Sequence, residues 1–312
     1  MINRTMVRTK VLQALYAYYQ DQEKTPLTAR KELRNSYADT YALYCMLLDF
    51  PNELVRHAAS LQDDAIARAR ITHTTYTANH RFIDNQLIDQ LFTNRRLRHE
   101  LEEQHLGWDT GHSAVSAIYK QFSESDVFKE YMALEHTTYE DDKRIIRKLY
   151  ADFLPSNEAL ESALEEMELT LDRQNWVTDL NGVLSYVIKT IKRFNEETTP
   201  DEPLLEMFDN EDELNFGQEL LRYAIERKDE YETLINAHLK NWDADRIAFM
   251  DRVILLTALA EILNFQSIAI EVSINEYLEL AKEYSGDKSH LFINGVLDEI
   301  VKDLKRQNKL FK

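Results

Sequence analysis

The chain has 312 residues, of which 44% are hydrophobic, with six glycines, five prolines and one cysteine. That is enough apolar material for a sizeable core and too little Gly, Pro and Val/Ile/Thr alternation for a β-fold, so an all-α chain is expected. The net charge of −18 argues against indiscriminate nucleic-acid binding, and the lone Cys45 excludes an internal disulfide or a cysteine zinc site.

Asn3 is placed to cap a first helix that runs to about residue 24, with Val7, Val11, Ala14, Leu15 and Tyr18 as its apolar stripe. Arg4 and Arg8 lie four apart and share a face beside that stripe. Pro26 marks a break. A second helix, "ARKELRNSYADTYALYCMLLDF", is expected to stop at Pro51, because proline lacks the N–H that a helix interior needs. Asn52 is then the cap of a third helix. Residues 72–80 are polar and read as a loop. A helix over about 82–104 follows, then a turn at "GWDTG" and a cap signal at Ser123 and Asp126. A short helix from Lys143 to Phe153 ends at Pro155. Ser156 is the expected cap of a helix to about 172, and residues 176–196 form another. The stretch 196–214 carries two prolines and a dense acidic cluster, which marks a linker.

The last seventy residues carry the clearest pattern. "VILLTALAEIL" (253–263) is apolar on nearly every side, so this helix should lie inside a bundle. Ser273 and Glu276 have the spacing of a capping box ahead of a stripe of Ile274, Tyr277, Leu278, Ala281 and Tyr284. A final helix carries Ile293, Leu297, Ile300 and Leu304. Gly295 sits inside it at a cost of about 1 kcal/mol against alanine. Close approach of another backbone is the expected compensation.

Enzymatic signatures are missing. Neither GxGxxG nor GxxxxGK[ST] occurs, and "HELEE" at 99–103 has Glu where a zincin helix needs its second histidine. No nucleophile–base pairing stands out, and no metal or cofactor is expected. No apolar run approaches the ~18–20 residues that span a bilayer, and no secretory h-region opens the sequence. A cytoplasmic, non-enzymatic protein is the expectation.

The strings "INEYLELAK" and "SHLFINGVLD" resemble the hallmark of the NusB family of bacterial transcription antitermination factors. "RIAFMDRVILLTALAEIL" fits the helix that precedes them there, and "VRTKVLQALYAYYQ" resembles the family's first helix. The resemblance covers roughly residues 3–20 and 216–305. It implies a helical bundle built as a pair of three-helix bundles. In this chain it would carry an additional helical insertion. The expected organisation is an N-terminal helix over 1–24, an acidic helical insertion over 25–197, an acidic linker over 198–215 and a C-terminal module over 216–312. Residues 25–215 hold 20 Lys/Arg against 36 Asp/Glu, whereas residues 1–24 are net +2. Basic residues gather at both ends: Arg4, Arg8 and Lys10, then Lys302, Lys305, Arg306, Lys309 and Lys312.

The resemblance further implies RNA binding to boxA-like elements of ribosomal RNA leader transcripts. A small-subunit ribosomal protein would be the partner, and RNA polymerase an indirect one. Arg4, Arg8 and Lys10 are the candidate phosphate contacts. Tyr16 and Phe292 are the candidate base-stacking aromatics, since such stacks are worth about 1–3 kcal/mol each. Lys288, Ser289 and His290 lie at a helix entrance, where backbone N–H groups favour anions. Asp251 and Arg252 either face a partner or form an ion pair that orients their helix. The family typically carries a denser arginine run ahead of this point, and here Thr5, Met6 and Thr9 occupy positions that could have been basic. Two other readings remain open at this point: a helical scaffold that binds only protein, and the RNA-recognition subunit of a ribosomal RNA methyltransferase.

Overall fold

The computed structural model describes residues 1–208, 210–239 and 247–310. Arg246 of the run quoted above and Lys312 of the C-terminal basic cluster lie outside the described residues. Helices account for all the regular structure among them, and none is long and apolar enough to cross a membrane. The chain divides into two compact units, one made of Met1–Tyr37 and Phe208–Lys312, the other of Ala38–Met207.

In the first unit, α1 (Arg4–Gln20) packs on α10 (Glu211–Glu226) and α12 (Phe249–Asn264). Asn3 caps α1 as expected, its side chain accepting from the Met6 N–H at 3.0 Å. Val7, Val11, Ala14 and Leu15 of the predicted stripe are buried. α12 is the central helix. Every residue from Val253 to Ile262 is buried, as an apolar run without a polar face requires. Around it lie α11 (Lys228–Ala237), α13 (Ile270–Tyr284) and α14 (Ser289–Arg306).

Gly217 on α10 is a true steric requirement. A Cβ there would meet Tyr37 Oη at 2.2 Å and Val7 Cγ1 at 2.8 Å. Gly295 is the opposite case. It is exposed and a Cβ on it would touch nothing within 4 Å, so no close backbone approach compensates for it. The capping-box expectation also fails. α13 begins at Ile270, which puts Ser273 in its first turn, where the hydroxyl serves Glu261 of α12 instead.

In the second unit the central element is the later part of α2, a single helix from Pro26 to Thr72. Pro51 does not stop it. Proline at 51 deprives the Leu47 carbonyl of its usual N–H and crowds the turn before it. One buried side chain supplies the missing donor and a second bonds the neighbouring carbonyl. Tyr150 Oη donates to the Leu47 carbonyl, and Trp108 Nε1 donates to the Met46 carbonyl at 3.1 Å. Tyr150 sits on a π-helical turn (Leu149–Phe153) that follows α7 (Tyr139–Lys148). Asn52 is buried and donates to Asp49 rather than capping a new helix. Cys45 is fully buried here, and burial pushes its thiol pKa up, consistent with an inert core residue.

The expected helix over 82–104 is two helices, α3 (Gln86–Thr93) and α4 (Arg95–Glu103). Asn85 and Asn94 each cap one, accepting from Ile88 N at 3.1 Å and Leu97 N at 2.9 Å. α5 (His112–Glu124) and α6 (Asp126–Ala133) follow, the latter capped by Ser125. α8 (Glu158–Leu171) is capped by Asn157, one residue past the expected Ser156. α9 (Trp176–Arg193) completes the unit. Arg95, Arg96 and Arg98 pair with Asp201, Glu206 and Asp49.

Candidate nucleic-acid interface

The start of α1 carries the candidate cations, and the fold gives them different fates. Arg8 is only 3% exposed. Its Nε donates to Glu261 Oε2 at 2.7 Å and its Nη2 to Glu261 Oε1 at 2.8 Å. Its Nη1 lies 3.2 Å from Glu276 Oε2. Burial alone would depress the guanidinium pKa. The hydrogen bonds and charge of Glu261 outweigh that and hold it raised. Glu261, itself wholly buried, also accepts from Ser273 Oγ at 2.7 Å and Tyr277 Oη at 3.0 Å. Four donors from two helices, α1 and α13, thus converge on one carboxylate of α12. The expectation that Arg8 contacts phosphates is corrected accordingly, because its donors are spent inside the bundle. Lys10 is buried as well, at 1% exposure, and leaves the set of surface cations.

Arg4 is the exposed member. It lies one turn before Arg8 and is exposed. Its guanidinium carbon sits 5.5 Å from the centroid of the Phe216 ring, the same ring that Arg8 approaches from within. Phe216 is braced edge-on by Phe265, with centroids 4.9 Å apart. Arg4 opens onto a groove of about 620 Å³ lined by Thr5, Glu213, Ser267, Ala269, Val272 and Glu276 among others. The groove runs between the start of α1, the start of α10 and the chain leading into α13.

Further along α1, Tyr16 is half-buried and meets Phe249 edge-on at 5.2 Å. Phe249 is 40% exposed, a large aromatic left at the surface on the first turn of α12.

The second candidate group, at the start of α14, is organised around Asp251. This carboxylate is 6% exposed and accepts from Ser285 Oγ and from Ser289 Oγ, the latter at 3.0 Å. It ties the first turn of α12 to the entry of α14. Arg252 pairs with Glu232 of α11. Arg252 thus forms an ion pair within the chain, whereas Asp251 is engaged by serine hydroxyls, and its burial corrects the partner-facing expectation. Ser289 is likewise engaged. Lys288 is exposed and His290 half-buried. Phe292 is 8% exposed and packs as a core residue, so it offers no open face to a base. The C-terminal lysines are partly neutralised, since Lys302 pairs with Asp298 at 2.5 Å. No cluster that could hold a metal ion occurs among the described residues.

Sequence reading missed Glu261, Phe216, Glu213 and Phe249. A signal existed for the first: a lone carboxylate inside "VILLTALAEIL" needs a buried partner.

Residues 181–302 match the NusB family. The transcription antitermination protein NusB of Bacillus pumilus is 41% identical over 108 residues, which is 35% of this chain and 82% of that protein. The Bacillus subtilis protein of the same name is 41% identical over 91 residues, 29% of this chain and 70% of its own length. The Salinibacter ruber protein is 39% identical over 98 residues, covering 31% and 61% respectively. No solved structure matches. These alignments show that the chain belongs to the NusB family.

Proposed function

We propose that the protein is an RNA-binding transcription antitermination factor that acts in the cytoplasm. It binds single-stranded, boxA-like elements of ribosomal RNA leader transcripts together with a small-subunit ribosomal protein, and it does so without covalent chemistry. RNA polymerase is reached indirectly through that complex. Family membership supports the class. The observation that carries the site is Arg4: an exposed cation stacked on Phe216 at the mouth of a groove, anchored one turn later by a buried ion pair. Tyr16, Lys288 and His290 complete the proposed contact set.

In this reading Arg4 positions the RNA backbone, and exposed aromatics stack on unpaired bases. An insertion into the family module, expected over 25–197, accords with the division of the chain, although the second compact unit runs from Ala38 to Met207 and leaves 25–37 with the module.

The test is a titration of single-stranded boxA-like RNA against wild type and Arg4→Ala at several salt concentrations. Loss of one phosphate contact should flatten the log–log salt slope by about 0.7. Equal affinity and equal slope for the two proteins would take Arg4 out of the interface.

A further inference from the structure

The groove beside Arg4 also holds a carboxylate that RNA-backbone binding does not use. Glu213 lies in the first turn of α10 and lines the groove together with Arg4. Its Oε2 is shielded from solvent in this conformation and has no hydrogen-bond partner among the described residues, so turning the side chain to present both oxygens to the groove breaks no hydrogen bond of that oxygen. The backbone N–H of Glu213 donates to the Asn210 side chain at 3.2 Å, the N-cap bond of α10. An ionised carboxylate only accepts hydrogen bonds. An acceptor already stripped of water and lacking a donor is costly, and a ligand that brings N–H groups removes that cost.

We propose that Glu213 is a specificity-determining residue that reads the Watson–Crick edge of a guanine in single-stranded RNA. The inference rests on the RNA-binding reading above. The chemistry selects the base. Guanine presents two adjacent donors, N1–H and an N2 amino hydrogen, which match the two oxygens of a carboxylate. Cytosine and adenine offer one amino group beside a ring acceptor that repels a carboxylate. Uracil offers one N–H flanked by two carbonyls. Bases of unpaired RNA are available for this kind of edge recognition. The groove volume of about 620 Å³ is ample for one nucleotide. Arg4 at its mouth supplies the countercharge for that nucleotide's phosphate, which offsets the repulsion between Glu213 and the RNA backbone.

The experiment uses the full chain and a single-stranded boxA-like RNA, with each guanosine replaced in turn by inosine, which lacks the N2 amino group. Affinity is read by fluorescence anisotropy. Wild type should lose about tenfold at one position, the scale of a single good base-edge contact. Glu213→Gln should bind the guanosine and inosine forms of that RNA equally. Thermal melting of the variant establishes that it is folded. If wild type binds RNA but discriminates at no position, or if Glu213→Gln discriminates as wild type does, the assignment of Glu213 is overturned while RNA binding stands. If wild type binds no single-stranded RNA at low salt, the RNA-binding reading itself falls, and this inference with it.

Discussion

Arg4 and Arg8 differ by one helical turn, and that turn separates an exposed cation from a buried strut. Arg8 and Glu261 are 253 residues apart in sequence, yet they share two hydrogen bonds with both side chains almost wholly buried. Replacing Arg8 by alanine would leave the Glu261 carboxylate buried with only Ser273 and Tyr277 as donors. A buried ion pair broken on one side costs about 3–5 kcal/mol. Arg8→Ala should therefore lower the urea midpoint markedly, while Arg4→Ala should stay within about 0.5 kcal/mol of wild type. A midpoint unchanged in Arg8→Ala would refute the strut. The spacing of the two arginines showed that they share a face. It could not show depth, because depth is set by where α12 ends against α1. Tyr16 and Phe292 carry the same lesson: both are aromatics in matching motifs, but packing leaves only Tyr16 partly open.

Among the helices, the central ones were readable and the breaks were not. The all-apolar run at 253–263 announced a buried helix, and α12 is one. Pro51 was read as a terminator because local rules weigh the lost N–H alone. The donor that replaces the lost N–H comes from Tyr150, 103 residues away, and Trp108 bonds the adjacent carbonyl from 62 residues away, both beyond any local signal. Tyr150→Phe keeps the ring and removes the donor. It should destabilise the protein by about 1–3 kcal/mol, the cost of leaving a buried carbonyl unmet. Melting curves for Tyr150→Phe alone and combined with Pro51→Ala would check this, since alanine restores the backbone N–H and should recover much of the loss.

Gly217 gives a second test at the same scale. Alanine there gains about 1 kcal/mol of helix propensity. It also forces apart Tyr37 and Val7, an overpacking cost of about 1–3 kcal/mol. Net destabilisation is expected for Gly217→Ala. Adding Tyr37→Phe deletes the hydroxyl that the new methyl would strike, and that hydroxyl has no hydrogen-bond partner among the described residues. The double variant should be more stable than Gly217→Ala. If it is not, Val7 rather than Tyr37 sets the limit.

Across the whole chain, the acid is unevenly shared. Ala38–Met207 holds 17 Lys/Arg against 31 Asp/Glu, whereas the remaining residues are net −4. A protein lacking this excess should bind random-sequence RNA more tightly at low salt. The gain should fade as the Debye length shrinks from about 10 Å at 0.1 M to about 3 Å at 1 M. Filter binding of the full chain and of a version with 38–207 replaced by a short linker would measure it. Equal low-salt binding would exclude simple repulsion. The division of the chain has one more consequence, and it concerns time. Unit boundaries near Tyr37 and Phe208 mean that α1 emerges from the ribosome long before its partner helix. At 5–20 residues per second, Arg8 waits on the order of 10–50 s for Glu261 to be synthesised. Throughout that interval the stripe of Val7, Val11 and Leu15 has no native surface to cover it, while the contiguous segment 38–207 can complete its own core. The nascent chain therefore passes through a stage in which the apolar stripe of α1 is uncovered, and the family module is completed only after residues 38–207 have been synthesised.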